Sequence, residues 1–237
     1  MPKHFHRELE KLKKNILTLG AMVEERVKMA SITIETRDTE LANKIIRTDY
    51  EIDDMEVEVE EECLKILALY QPVAVDLRFL ITVIKINNDL ERIADLAVNI
   101  AERMLIIAKY DKHIFTFDYS QMIKKTQYML KKSLDSLVNL DTDSAIAVCN
   151  MDDEIDAIKD EAYDKIKDAI KEKPSYVGYL INLLLISRHL ERIADHTTNI
   201  AEEVVYLVEG EIVRHNKADI EKNAVKMNGK GKNFSSR

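Results

Sequence analysis

The segment Leu90-Glu91-Arg92-Ile93-Ala94-Asp95 returns as Leu190-Glu191-Arg192-Ile193-Ala194-Asp195, and Asn99-Ile100-Ala101-Glu102 returns as Asn199-Ile200-Ala201-Glu202. A chain with this echo is built twice from one unit, so any fold for the first half must also suit the second. The echo covers charged letters as well as apolar ones. It therefore constrains a surface as well as a core.

The unit is helical. Leu9, Leu12, Ile16, Leu19, Val23, Val27, Ala30 and Ile34 fall at spacings of three and four, so one helix is expected from Phe5 to about Thr36. Asp38 or Thr39 can cap a second helix over about 40–69, and Pro72 suits the start of a third, running to about Lys109. The pattern then restarts: a helix over 118–140, a break at Asp141-Thr142-Asp143, a helix over 144–173, then Pro174 and a helix to about Glu209. With only 5 Gly, 3 Pro and no Trp, an all-β fold would lack turn residues and aromatics. The expected fold is all-α, two antiparallel three-helix bundles in tandem over 1–112 and 113–212. A polar, mostly basic tail over 213–237 is expected to be disordered.

Other features narrow the function. The net charge of −8 disfavours nucleic acid as the partner. Cys63 and Cys149 are isolated and read as buried thiols of a reducing compartment. The N-terminus lacks the apolar core of a signal peptide, and the longest apolar run, Val177 to Ile186, falls short of the ~20 residues a span requires. A cytoplasmic protein that reaches a membrane only through partners is expected.

On a helical wheel Ile86, Leu90, Ile93, Ala97 and Ile100 gather on one side, while Glu91, Asp95 and Glu102 form a stripe on the other, with Asn99 at its margin. Glu191, Asp195, Glu202 and Asn199 repeat it, and the preceding helices carry Asp49/Asp53 and Asp152/Asp156 one turn apart. A solvated acidic face would use the same letters, since like charges one turn apart cost only about 0.2–0.5 kcal/mol when exposed. Recurrence in both halves favours a shared task. If the carboxylates meet in the groove between the second and third helices, each pair at ~4 Å costs about 4 kcal/mol at an effective dielectric of ~20. A multivalent cation relieves that, and oxygen donors select iron(III), manganese, magnesium or calcium. Ferritin-like di-iron sites need Glu-x-x-His, whereas Glu91 and Glu191 are followed at that place by Ala94 and Ala194. His189 and His196 face Asp89 and Leu96 across the repeat; both read as surface residues, with His196 an outside candidate for an extra ligand.

With these motifs in hand, the chain resembles the PhoU family of phosphate-signalling regulators. The resemblance spans nearly all of residues 1–210 and rests on the tandem units and the Asp/Glu-x-x-x-Asp motifs. It rests also on the two LERIAD phrases and on Pro72-Val73-Ala74-Val75-Asp76-Leu77-Arg78; Pro174-Ser175-Tyr176-Val177-Gly178 departs from that last motif. The resemblance implies a non-enzymatic negative regulator of phosphate uptake, a homodimer lying between the ATPase subunit of a phosphate ABC transporter and a sensor histidine kinase. It also implies multinuclear metal clusters, iron foremost, at the carboxylate motifs. A metal-storage protein or metalloenzyme using the same carboxylates is the alternative from a different class.

Overall fold

The computed structural model describes residues 3–111 and 114–210; the tail over 213–237 lies outside them. The described residues form eight α-helices: α1 (Lys3–Thr36), α2 (Thr39–Arg47), α3 (Tyr50–Tyr70), α4 (Ala74–Ile107), α5 (Ser120–Asn139), α6 (Thr142–Cys149), α7 (Asp152–Glu172) and α8 (Val177–Glu209). A 3₁₀ turn, Pro174–Tyr176, leads into α8 with the proline at its first position. The chain is all-α and its two halves repeat one arrangement.

The apolar stripe of α1 is the buried one: Leu12, Leu19, Val23 and Val27 are essentially sealed from water. Asp38 caps α2 through the amides of Glu40 (2.9 Å) and Leu41 (3.0 Å), and Asp141 caps α6 through that of Ser144 (3.1 Å). Gln71 closes α3 in the left-handed region (φ 47°) and frees the chain to turn at Pro72. Gly210 closes α8 at φ 77°, a conformation L side chains rarely adopt, and a β-carbon there would also have to displace the Arg78 guanidinium.

The expected second helix of each half is two helices. In the first half Arg26, which is 5% exposed, reaches from α1 to the end of α2 and caps it. Its Nη1 donates to the Ile45 carbonyl (2.6 Å) and its Nη2 to the Thr48 carbonyl (2.8 Å). The guanidinium thus satisfies carbonyls at the end of α2, where the helical ladder no longer does. The matching break at Asn150–Met151 forms without such a cation; the counterpart of Arg26 is Met129, fully buried.

Four long helices form a ring in which α1 packs on α4, α4 on α8, α8 on α5 and α5 on α1, with the most extensive contact between α4 and α8. The shorter pairs α2/α3 and α6/α7 lie outside this ring, against α1 and α4 or α5 and α8. Helices α4 and α8 run antiparallel: Lys85 pairs with Glu203, Asp89 with His196 and Asn199, and Arg103 with Asn182. The pairings are centred near Ile93 and Ile193. A polar clasp also ties the halves. Arg37 donates to the Tyr110 carbonyl (3.1 Å) and the Tyr179 hydroxyl (2.9 Å), which donates to the Phe115 carbonyl (2.7 Å).

Candidate metal grooves and family membership

The LERIAD letters divide as the wheel requires. Leu90, Ile93, Leu190 and Ile193 are buried, while Asp95 and Asp195 are exposed and Glu91 and Glu191 partly so. In the first half Asp49 stands at the break before α3, Asp53 follows one turn on, and both approach Glu91 and Asp95 of α4. Their mutual influence appears in their acidities. Burial first, then Asp53 and Asp95, lift the Asp49 carboxyl above its ordinary range, against the pull of Arg26. Burial, then Asp95, Glu56 and Asp53, lift Glu91; burial and Asp53 lift Asp95. Arg26 Nη1 lies 3.8 Å from Asp49 Oδ1, a buried atom with no hydrogen-bond partner.

Glu56 belongs to this group and was not anticipated. It lies one turn beyond Asp53, and its carboxylate accepts from Asn87 Nδ2 (3.1 Å), whose amide also donates to the Glu56 carbonyl (3.0 Å). Continuing the Asp49–Asp53 stripe by another turn would have found it.

In the second half Asp152 and Asp156 of α7 face Glu191 and Asp195 of α8. Burial first, then Glu191, Asp152 and Asp156, push the Asp195 carboxyl up to about 6, with His196 opposing. Lys159 enters this groove: its Nζ lies 2.8 Å from Asp156 Oδ1 and 3.2 Å from Glu191 Oε1. Its pKa rises, chiefly through the hydrogen bond to Asp156.

The Asp195 shift has a consequence for stability. The folded chain binds a proton more tightly there than the unfolded chain does, from the ordinary 3.8 up to about 6. Stability therefore falls as pH rises through that window. Asp195→Asn should raise Tm at pH 7.5 and leave it unchanged near pH 4 in thermal melts. An equal change at both values would assign the effect to packing instead.

The remaining expected residues lie elsewhere. Glu102 is exposed and pairs with its neighbour Arg103 (3.4 Å), and Asn99 is partly buried on α4. Glu202 lines a cleft with Glu56, Glu60 and Arg92, reaching from α8 toward the other half. His196 is not a surface residue: it is 8% exposed, with Nδ1 2.8 Å from Asp89 Oδ1, and Asn199 Nδ2 lies 3.3 Å from the same oxygen. The reason is the α4–α8 pairing, which seals that face of α8. His189 is likewise half-buried, and its imidazole is pushed down to about 4 by burial first and then by Arg103, Arg192 and Arg188.

Among the described residues, no three His, Cys, Asp or Glu side chains converge tightly enough to hold a metal ion as they stand. The carboxylates confront one another across the grooves. An all-oxygen donor set and the unpartnered Asp49 Oδ1 suit a hard cation reached by side-chain rotation.

The PhoU domain matches this sequence twice, over residues 16–104 and 119–204. The chain is 35% identical over 212 residues to the phosphate-specific transport system accessory protein PhoU homolog of Clostridium acetobutylicum, covering 89% of this chain and 97% of that protein. It is 34% identical to PhoU homolog 1 of Thermotoga maritima, covering 87% and 90%. The crystal structure of PhoU from Pseudomonas aeruginosa superposes with a TM-score of 0.83 at 34% identity, over 87% of this chain and 100% of that one. That of the phosphate transport system regulatory protein PhoU from Streptococcus pneumoniae gives 0.81 at 32%, over 88% and 99%. With both halves matched, and relatives aligned over nearly their whole length, this chain belongs to the PhoU family.

Proposed function

We propose that the chain is an accessory protein of a phosphate-specific transport system, acting as a non-enzymatic negative regulator. The observation that carries the reading is end-to-end similarity to relatives so named, with both PhoU repeats present. The ring of long helices supplies a rigid body, and the paired acidic grooves supply surfaces on which partner and cation can meet. The partners are the ATPase subunit of a phosphate ABC transporter and a sensor histidine kinase. The protein works in the cytoplasm as a homodimer, and reaches the membrane through those partners, since no described helix is long and apolar enough to cross one.

Hard cations, iron foremost, are the ligands these acidic grooves are suited to attract, with Asp49, Asp53, Glu91 and Asp95 as candidate donors in the first half and Asp152, Asp156, Glu191 and Asp195 in the second. A bound ion supplies positive charge that joins two helices, or joins the acidic face to a partner or a phosphate oxyanion. Affinity purification of the full chain from phosphate-replete cells should recover a transporter ATPase, a sensor kinase, or both. Recovery of neither, with abundant soluble bait, would refute the regulator reading. Phosphatase or ferroxidase turnover by metal-loaded protein, abolished by Glu191→Gln with Asp195→Asn, would favour the enzymatic alternative.

A further inference from the structure

We infer that the two grooves are unequal: the first takes a multivalent cation, while in the second the ammonium of Lys159 occupies the place of that cation. The inference rests on the metal reading above and assigns a different content to each groove. In the repeat, Asp49 and Asp53 correspond to Asp152 and Asp156, and the next position on the same stripe is Glu56 in one half and Lys159 in the other. Glu56 adds a carboxylate facing Glu91, held by buried Asn87. Lys159 instead bridges Asp156 of α7 and Glu191 of α8, joining by charge-assisted hydrogen bonds the two helices an ion would join.

Neighbouring substitutions act in the same direction. Asn88 and Glu60 in the first half correspond to Arg188 and Tyr163 in the second, and both of the latter line the groove beside Lys159. The first groove is thus richer in oxygen donors, with Arg26 near Asp49 and Arg92 near Glu91, whereas only in the second does a cation bridge the carboxylates of the two facing helices. An ion entering the second groove would have to break two hydrogen bonds of Lys159 and then sit beside the displaced ammonium. In the first groove it would relieve repulsion among Asp53, Glu56, Glu91 and Asp95 and meet Asp49 Oδ1, which accepts no hydrogen bond and has only the Arg26 guanidinium, 3.8 Å away, as counter-charge.

The test uses the full chain, stripped of metal and dialysed against manganese(II), with bound and free ion followed by electron paramagnetic resonance. Asp53→Asn/Glu91→Gln/Asp95→Asn should weaken uptake at least about tenfold, whereas Asp156→Asn/Glu191→Gln/Asp195→Asn should change it by less than about twofold. Lys159→Glu should add a second binding step, and Lys159→Gln, which removes the ammonium without adding charge, should add a weaker one. Circular dichroism verifies the fold of each variant. Equal losses from the two triple variants would overturn the inequality while leaving the metal reading intact. Unchanged stoichiometry in both Lys159 variants would overturn the role of the ammonium. No uptake by the wild-type chain would overturn the metal reading and this inference together.

Discussion

Arg26→Met should cost about 2–4 kcal/mol of folding stability, the more so because Met129 shows that methionine suits the matching place in the second half. The substitution nearly preserves volume, so the loss comes from hydrogen bonding. The carbonyls of Ile45 and Thr48 both receive the guanidinium at short range. A buried carbonyl left without a donor costs about 1–3 kcal/mol, and Thr48 would keep only the longer bond from the Glu51 amide (3.3 Å). For a chain of this size the expected fall in Tm is roughly 5–15 °C. Arg26→Lys should recover little, because an ammonium cannot reproduce the planar fork that reaches two carbonyls and approaches Asp49 at once. Urea and thermal unfolding measure it; a loss below about 0.5 kcal/mol, the range of ordinary surface substitutions, would show that water replaces the guanidinium freely.

A second large effect is expected from His196→Leu. The change restores the internal symmetry of the repeat, since Leu96 is the counterpart, and on repeat logic alone it should be harmless. The α4–α8 pairing says otherwise. Asp89 is 9% exposed and would keep only the longer bond from Asn199. Removing one partner of a buried pair leaves an uncompensated charge, and here about 2–4 kcal/mol should be lost. Adding Asp89→Leu should return at least half of that, because it removes the buried carboxylate left without its imidazole partner. A double-mutant cycle reads the coupling directly. If the double variant is no better than the single one, the pair contributes through shape and its charges are incidental.

Much of this fold is legible in the sequence. Helical periodicity locates the long helices, and the caps at Asp38 and Asp141 stand where Asp precedes an apolar stretch. Two features escape that reading for a shared physical reason. Periodicity treats each helix as a free cylinder with one wet and one dry face. It cannot show that Arg26 reaches the end of another helix and caps it, nor that α8 is dry on the side bearing His196 because α4 lies there.

The grooves follow the same division. The doubled stripes announce Asp49, Asp53, Glu91, Asp95 and their second-half counterparts, since their spacing puts each pair on one face. Glu102, Asn199 and Glu202 share the stripe in projection, yet antiparallel packing carries Asn199 and Glu202 toward the other half. The residues missed, Glu56, Lys159 and Asp89, are those at which the halves differ. Mismatches in a repeat are therefore as informative as matches.

The antiparallel pairings of α4 with α8 are centred near Ile93 and Ile193, so the two halves meet about an approximate two-fold axis, each offering the other its own matching face. A single repeat standing alone would leave the face of α4 that bears Lys85, Asp89 and Arg103 without the cover α8 gives it, and its own twin carries the matching face. Joining the twins in one chain turns an association that depends on concentration into one that does not. It also releases them from being identical. Once Glu56 no longer had to equal Lys159, nor Asp89 equal His189, the molecule gained a left and a right side, by which a partner can tell one end of an otherwise symmetric body from the other.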